Sequence, residues 1–430
     1  MKKFIKKIIP KPLLNLRHLF YAWLGSVKYG HPSEEMLVIG ITGTSGKSTT
    51  AYLLRQILER AGYIVGSLST IDFYVAGEDK LNDKKMTMLG KMQIQKYLRE
   101  MADKGCSVAI VETTSEGRVQ HRHRFINYDM MLLTNLYPEH VESHGSYENY
   151  MQAKIDIFDY VAGSKRKVLN GETIEKIALV NRSVKGYTKF VKGNFDEVIE
   201  FSGKAKLHLD SVRTEKDGIH FRVHERDFFA PMYGEHNAMN IVSVMAVARA
   251  LDISWSKIQE SVSTFTNVPG RLEFIKEAEE KGFQVIVDYA FEPRALKSLF
   301  AVVNNLDTKK VICVTGNTGG GRDKPDKKVA CIAEYVDTVI VTNEDPYYDD
   351  PKQIIDGMVK IFEDLGMKRD KNLFSVLDRK DGIIQALSLA KKGDVVLVTG
   401  KGSEQAMVVK DMLVPWDDRK VVRELLASTK

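Results

Sequence analysis

The stretch VIGITGTSGKSTTAYLLRQILERAG, Val38–Gly62, decides the fold class. Its first part, VIGITG, is a short apolar run closed by Gly, the pattern of a buried strand. Its last part, KSTTAYLLRQILERAG, has apolar residues at helical spacing and ends in Gly, which predicts a helix from Lys47 onward. Strand, Gly-rich turn and helix N-terminus leave several backbone N–H groups converging on one point, where the helix dipole also favours an anion. Gly43, Thr44, Ser45 and Gly46 form that turn. Lys47 then reaches the terminal phosphates of a nucleotide, and a hydroxyl of Ser48 or Thr49 sits on Mg²⁺. The strict GxxxxGK[ST] spacing is not met, because Ile41 takes the place of its first Gly and Gly40 lies one residue earlier. The bland reading is a Gly-containing turn between strand and helix; the Lys followed by two hydroxyls weighs against it.

Outward from this stretch, strand-like and helix-like patterns alternate. LVIGITG, SVAIVET, DMMLLTN and IALVN read as buried strands, separated by helical patterns such as Lys91–Lys104 and Tyr147–Val161. That alternation predicts a parallel α/β sheet. Residues 183–233 change to short runs of mixed polarity (KLHLDSV, GIHFRVH, FFAPMYG), a small antiparallel addition. Helical segments at His236–Leu251 and Trp255–Thr264 follow, and VPGR at Val268–Arg271 reads as a hinge, since Pro and Gly end the helix. A second alternation runs through FQVIVDYA, KKVICVTG, TVIVTNE and DVVLVTG and predicts a Rossmann-like domain. The expected organisation is an α/β protein with a basic amphipathic segment at 1–35, a central P-loop-type parallel-sheet ATPase domain at 36–267 and a C-terminal Rossmann-like domain at 268–430.

At 430 residues and 43% hydrophobic, the chain is long enough to build two such cores. Cys106, Cys313 and Cys331 lie far apart and form no CxxC, so neither a disulfide framework nor a zinc site is indicated, and a reducing cytoplasm is the expected location. No apolar run is long enough to span a bilayer. The net charge of +6 is concentrated at one end. Residues 1–33 contain Lys2, Lys3, Lys6, Lys7, Lys11, Arg17 and Lys28 and no acid, so the remaining body is near neutral and offers no nucleic-acid footprint. Pro10, Lys11, Pro12, Asn15, Arg17 and His18 break the apolar run that a signal peptide requires. Leu13, Leu16, Phe20, Trp23 and Leu24 recur at helical spacing, giving a short basic amphipathic helix. Such a helix docks either on the body of the protein or, through residues 1–30, on a membrane surface or a partner.

Gly40–Thr50 (GITGTSGKSTT) resembles the nucleotide loop of the Mur ligases, which add amino acids to the peptide of peptidoglycan precursors. Further matches follow in family order: ETTSEGRVQHR at Glu112–Arg122, TNLYPEHVESHGSYENYMQAK at Thr134–Lys154, GEHNAMN at Gly234–Asn240 and VPGRLE at Val268–Glu273, then VDYAFEP at Val287–Pro293, GNTGGGRDK at Gly316–Lys324, TNEDP at Thr342–Pro346 and GKGSE at Gly400–Glu404. Together they are most similar to the branch that adds the third residue to a UDP-N-acetylmuramoyl dipeptide. The resemblance begins near residue 36, whereas typical members carry beforehand a UDP-gripping domain of roughly ninety residues or more. The usual UDP grip is therefore expected to be missing.

The resemblance implies an ATP-dependent amide ligase acting through an acyl phosphate, monomeric, with ATP, Mg²⁺, a muramoyl-peptide-like acceptor and an amino acid as its partners. Glu112 stands as a ligand of the first Mg²⁺ with Ser48, and His140 as a ligand of the second. Lys154 matches the lysine that the family carbamylates, which turns a cation into a metal-binding anion. A lone Lys on a helix is ordinarily a solvated face, and a lone His ordinarily structural; the matched segment around both reverses that expectation. Asn237 resembles the adenine contact, Arg271 the arginine that reaches the phosphates across the hinge, and Asp288 the ribose holder, while Phe291 and Glu292 replace the family's His and Thr. Acceptor contacts fall to Thr87, Thr114, Gln120 and Arg122, and Glu116 replaces a family His. Gly400 and Glu404 match contacts to the incoming amino acid. The Asp-Asn-Pro-Arg that pairs with the distal carboxylate of meso-diaminopimelate is here Glu344-Asp345-Pro346-Tyr347, which favours a cationic side-chain end such as lysine's. A replacement cation would have to be Arg322 or Arg379. Two other classes stay open: a superfamily ligase with a different acceptor, such as a folate polyglutamate synthetase, and a non-catalytic Mur-like binding protein.

Overall fold

The computed structural model describes residues 11–82, 84, 86–138, 144–215, 217–321 and 325–428. The expected first strand is Leu37–Thr42, buried throughout, and the helix after the turn is Lys47–Arg60. That strand lies inside an eight-stranded sheet, with Val108–Glu112 on one side and Met130–Leu133 on the other, both parallel to it. Ile177–Asn181 and then Glu197–Phe201 continue the sheet in parallel beyond Met130–Leu133. Val65–Leu68 follows Val108–Glu112 in parallel, and the antiparallel hairpin Asp72–Val75 and Glu78–Leu81 closes that edge. Parallel strands of this kind need cover on both faces. One face packs under Lys47–Arg60, Glu235–Ala250 and Trp255–Ser263, the other under Lys91–Asp103 and Tyr147–Ala162.

Two details differ from the sequence expectation. Glu197–Phe201 joins the main sheet instead of the antiparallel addition, which is formed by Leu209–Glu215, Gly218–Val223 and Arg226–Ala230 alone. Its mixed polarity reflects an edge strand with one half-exposed face, a pattern shared with antiparallel strands. The Asp72–Leu81 hairpin was not expected; it is held by Arg55, which reaches Asp72 and Asp79 at 3.1 and 3.0 Å.

After the Val268–Arg271 turn, a six-stranded sheet runs in the order Glu273–Phe274, Gln284–Asp288, Val395–Thr399, Val311–Thr315, Thr338–Thr342, Leu373–Val376. All of its pairs are parallel except that of the first strand, and helices cover both faces. The three cysteines are free and buried. No helix among the described residues is long and apolar enough to cross a membrane.

A buried charge cluster ties the segment ahead of the first strand to this frame. Asp129 pairs with Lys167 at 2.8 Å and Lys176 at 3.0 Å, all three enclosed, and Lys167 also donates to the carbonyls of Ser33 and Met36. Removing one partner leaves charge buried without compensation. Asp129→Ala is therefore expected to cost about 3 kcal/mol, read as a lowered urea midpoint, with no comparable loss for the exposed pair in Arg213→Ala.

Candidate active site

The loop between the first strand and its helix is built around two glycines. At Gly43 (φ 152°) a Cβ would lie 2.0 Å from Thr134 Oγ1, and at Gly46 (φ 76°) 2.3 Å from Asn240 Oδ1, so neither position admits a side chain. Asn135 fixes the outer side of the loop, accepting from Ser45 N at 2.9 Å while its carbonyl accepts from Thr44 N at 3.1 Å. Thr44 Oγ1 in turn meets Tyr137 N and the Tyr150 hydroxyl. Lys47 folds back over the loop, its Nζ donating to the Gly43 and Thr44 carbonyls at 3.1 and 2.9 Å. An ammonium held across a glycine turn at a helix N-terminus suits a polyphosphate, although Thr44 N and Ser45 N are already bonded to Asn135.

Behind Lys47, Ser48 Oγ lies 2.9–3.0 Å from both carboxylate oxygens of Glu112, which is 1% exposed. Thr70 adds its N–H at 2.9 Å and its hydroxyl at 3.1 Å, and Thr87 Oγ1 lies 3.0 Å from that hydroxyl. Among the described residues, every hydrogen bond to Glu112 comes from a neutral donor. A buried anion surrounded by hydroxyls, in a cleft open to a nucleotide, is the hard-oxygen set that Mg²⁺ takes, so Ser48 and Glu112 fit the metal. Thr49 is buried on the same first turn. His140, the expected histidine ligand, lies outside the described residues.

Lys154 sits beneath the loop on the Tyr147–Ala162 helix, whose N-cap Ser146 accepts from Asn149 N. It is 1% exposed, and its Nζ donates to Gly43 O at 2.9 Å and to Thr42 Oγ1 at 3.3 Å, 4.8 Å from the Tyr150 ring centre. Burial first, then the charge of Lys47, holds its pKa well below the ordinary lysine value, against the pull of Glu112. The solvated-face alternative for this lysine is thereby excluded.

From the second sheet come the groups across the hinge. Gly270 (φ 63°) lets the turn pack on Gly402 and Ser403, where a Cβ would meet Ser403 N at 2.1 Å. Arg271 stacks over the Tyr289 ring at 4.2 Å, and its buried Nε has no hydrogen-bond partner among the described residues. Asp288 accepts from Leu272 N and Ala290 N at 2.5 and 2.8 Å; burial raises its pKa, with those bonds and Arg271 opposing. Asn237 donates to Tyr233 O and accepts from Asn240. Arg294 lies 3.5 Å over the Tyr137 ring, joining the two halves. Together these residues and the loop line one cleft of about 560 Å³, the size range of small-molecule sites.

The remaining expected residues fall in two groups outside the lining of that cleft, apart from Thr87. Thr114 caps the short Ser115–Val119 helix by accepting from Gly117 N, while Gln120 Oε1 receives Arg122 at 2.7 and 3.2 Å and Arg122 also donates to Met88 O. Thr87, next to Met88, links this acceptor patch to Glu112 through Thr70. In the second group, Glu344 is 4% exposed; its Oε2 has no hydrogen-bond partner among the described residues, and Lys328 lies 3.8 Å away. A Cβ on Gly400 would sit 2.4 Å from that oxygen. Asp345 is committed to Lys401, which reaches both of its oxygens at 3.1 Å and Glu404 at 2.7 Å. Of the two acids, Glu344 is the more loosely paired, with Lys328 at 3.8 Å. Arg379 is enclosed by Asp418 at 2.7–2.8 Å and by the Thr399 carbonyl, so it supplies no free fork, and Arg322 lies outside the described residues. Thr70, Asn135, Asn240 and Lys401 were not singled out in the sequence. Asn135 and Asn240 stand inside matched segments, whereas Thr70 carries no local signal.

The Mur ligase middle domain matches residues 41–248, and the Mur ligase glutamate ligase domain matches residues 270–402. The chain is 31% identical over 434 aligned residues to the UDP-N-acetylmuramyl-tripeptide synthetase of Roseiflexus sp. (strain RS-1), covering 98% of this chain and 84% of the relative. It is also 31% identical to a UDP-N-acetylmuramoyl-L-alanyl-D-glutamate--2,6-diaminopimelate ligase of Clostridium botulinum, covering 94% of this chain and 81% of that one. Among solved structures, the folylpolyglutamate synthase of Mycobacterium tuberculosis in complex with ADP and AMPPCP superposes with TM-score 0.71 at 17% identity, covering 95% of each chain. MurF from Acinetobacter baumannii gives TM-score 0.65 at 16% identity, covering 96% of this chain and 81% of its own. At these identities the structures show a shared fold.

Proposed function

The chain belongs to the Mur ligase family, and from that membership we propose that it is an ATP-dependent ligase joining an amino acid, through an amide bond, to a muramoyl-peptide acceptor in peptidoglycan precursor synthesis. The observation that carries the reading is the cleft in which the phosphate loop, the Ser48–Glu112 pair, Arg271 and Asp288 face one space. In this reading residues 36–267 hold the nucleotide and acceptor, and residues 268–430 bring Arg271, Asp288 and the amino-acid site.

A carboxylate is a poor acyl donor. Its oxygen attacks the terminal phosphorus of ATP, ADP leaves, and the amine then attacks the acyl carbon and expels phosphate. Negative charge grows in both steps, and fixed donors that need no rearrangement lower its cost. The loop N–H groups and Lys47 meet the phosphates, Arg271 approaches them from across the hinge, and Asp288 and Asn237 hold ribose and adenine. Ser48, Glu112, His140 and a carbamate on Lys154 would hold Mg²⁺, which supplies Lewis-acid neutralisation when bound. Burial of Lys154 supports the carbamate. An enclosed ammonium is disfavoured, and the neutral amine is the form that adds CO₂ with loss of a proton. Thr87, Thr114, Gln120 and Arg122 orient the acceptor.

Product mass after incubation with ATP, Mg²⁺, amino acids and either UDP-muramoyl dipeptide, a lipid-linked muramoyl peptide or a folate tests the reading. ADP and phosphate are expected only when acceptor and amino acid are both present, with product on a muramoyl acceptor. Product on folate alone would replace this reading with the polyglutamate one.

The amino acid is predicted to be selected without a distal carboxylate. Glu344, whose buried Oε2 has no hydrogen-bond partner among the described residues and only Lys328 at 3.8 Å against it, would repel a second carboxylate and attract an ammonium, more strongly once the site closes. Lysine should be used at least as well as meso-diaminopimelate in paired kcat/KM measurements. A preference of about tenfold for meso-diaminopimelate, about 1.4 kcal/mol, would point to Arg322 as the missing cation.

A further inference from the structure

The N-terminal helix Lys11–Lys28 docks on the body by its small-residue face and leaves its large apolar face bare. Ala22 and Ser26 are each 1% exposed, and a Cβ on Gly25 would already touch Met92 of the Lys91–Asp103 helix at 3.2 Å. His18 Nδ1 lies 2.7 Å from Lys91 Nζ, and Ser26 Oγ lies 2.8 Å from His31 Nδ1 at the turn that follows. Opposite that seam, Leu13, Leu16, Phe20, Trp23 and Val27 follow one another at steps of three and four, between 45% and 65% exposed. Regular spacing makes them one continuous stripe along the helix. Of the alternatives weighed from the sequence, docking on the body holds for the face of Ala22, Gly25 and Ser26, which half-buried Leu14 and Leu19 flank.

We propose that this stripe seats the protein on an anionic membrane surface. Charge complementarity selects that occupant. The first 33 residues carry seven Lys and Arg and no acid, and among them Arg17 and Lys28 lie over the rings of Tyr21 and Tyr29 on the helix and just beyond it. Apolar side chains bordered by cations match a layer of acyl chains beneath anionic headgroups, and Trp23 and Tyr21 are residue types that settle at that boundary. A second copy of this chain would set one such basic segment against another, which like-charge repulsion opposes. The helix is too short and too polar to cross, so it lies along the surface. Its attachment at Lys91, which neighbours both Arg17 and Arg122, brings the acceptor patch close to the docked face.

The full-length chain is tested by co-sedimentation with equimolar phosphatidylcholine–phosphatidylglycerol vesicles and with pure phosphatidylcholine vesicles. Binding is expected to the mixed vesicles, at least about tenfold weaker to the neutral ones, and to fall when salt is raised to about 0.5 M. Leu16→Glu with Trp23→Glu should lose binding at least about tenfold with Tm and ATP turnover unchanged, because both side chains are exposed and neither lines the cleft. Lys2→Ala, Lys3→Ala, Lys6→Ala and Lys7→Ala combined, which keep the stripe, should weaken only the anionic component. Equal affinity for both vesicle types, no binding to either, or a wild-type dimer that the Leu16→Glu/Trp23→Glu variant converts to monomer would each overturn the proposal, the last in favour of self-association.

Discussion

Lys47→Ala is expected to lower ATP turnover and ligation by about 10³-fold or more, about 4 kcal/mol of transition-state stabilisation, without loss of fold. The side chain lies on the first turn of its helix, and its Nζ rests on the Gly43 and Thr44 carbonyls, so truncation leaves no buried group stranded in the core. What disappears is the cation that sits where the loop N–H groups converge. Those N–H groups persist in the variant, as do the Ser48–Glu112 pair and Arg271, so nucleotide affinity should fall less than turnover. Single-turnover ADP formation, compared with equilibrium ADP binding, separates the two effects. Turnover within tenfold of wild type would remove Lys47 from the phosphate site. Lys47→Arg would not restore activity fully, since a planar fork replaces a compact point charge.

The two-sheet architecture was legible because parallel strands buried on both faces leave near-continuous apolar runs, as in Leu37–Thr42, Val108–Glu112 and Val395–Thr399. Edges were not legible by the same rule. Glu197–Phe201 is exposed or half-buried over most of its length and Asp72–Val75, though buried throughout, is short and carries an acid, so only the tertiary pairing decides whether such a run extends a sheet or starts another.

For the site, legibility followed sequence distance. Gly43, Gly46, Lys47 and Ser48 belong to one turn, and local chemistry names their role. Glu112 follows from strand order, because Ile41 and Glu112 are register partners on adjacent parallel strands, which carries the carboxylate to the mouth of the loop. Thr70 and Asn240 join them only through the folded chain. The acidic pair Glu344 and Asp345 shows the opposite limit. Its charge was legible and its pairing was not, since Lys401, 56 residues after Asp345, holds one acid and Lys328 lies 3.8 Å from the other.

Lys154→Ala is expected to be folded and nearly inactive, down about 10³-fold, and to recover in part with added short-chain carboxylate. A lysine that is 1% exposed would ordinarily be expelled from such a place or paired with an acid, yet among the described residues its hydrogen bonds go to a hydroxyl and a carbonyl. As an ammonium it pays desolvation and faces Lys47; as a carbamate it becomes an anion beside Lys47 and a metal held by Ser48 and Glu112. Sign decides between the two forms. Burial and the charge of Lys47 disfavour the ammonium, and a bound metal would favour the carbamate anion, so activity should rise with bicarbonate at fixed pH. In Lys154→Ala the bicarbonate dependence disappears, while acetate or propionate enters the space left by the side chain and supplies the missing oxygens. Lys154→Met fills that space and should stay inactive with or without carboxylate, which distinguishes a lost ligand from lost packing. Wild-type activity in Lys154→Ala would exclude the carbamate, and an inactive variant that no carboxylate rescues, with an unchanged bicarbonate response in the wild type, would reduce Lys154 to a support for the Gly43 carbonyl.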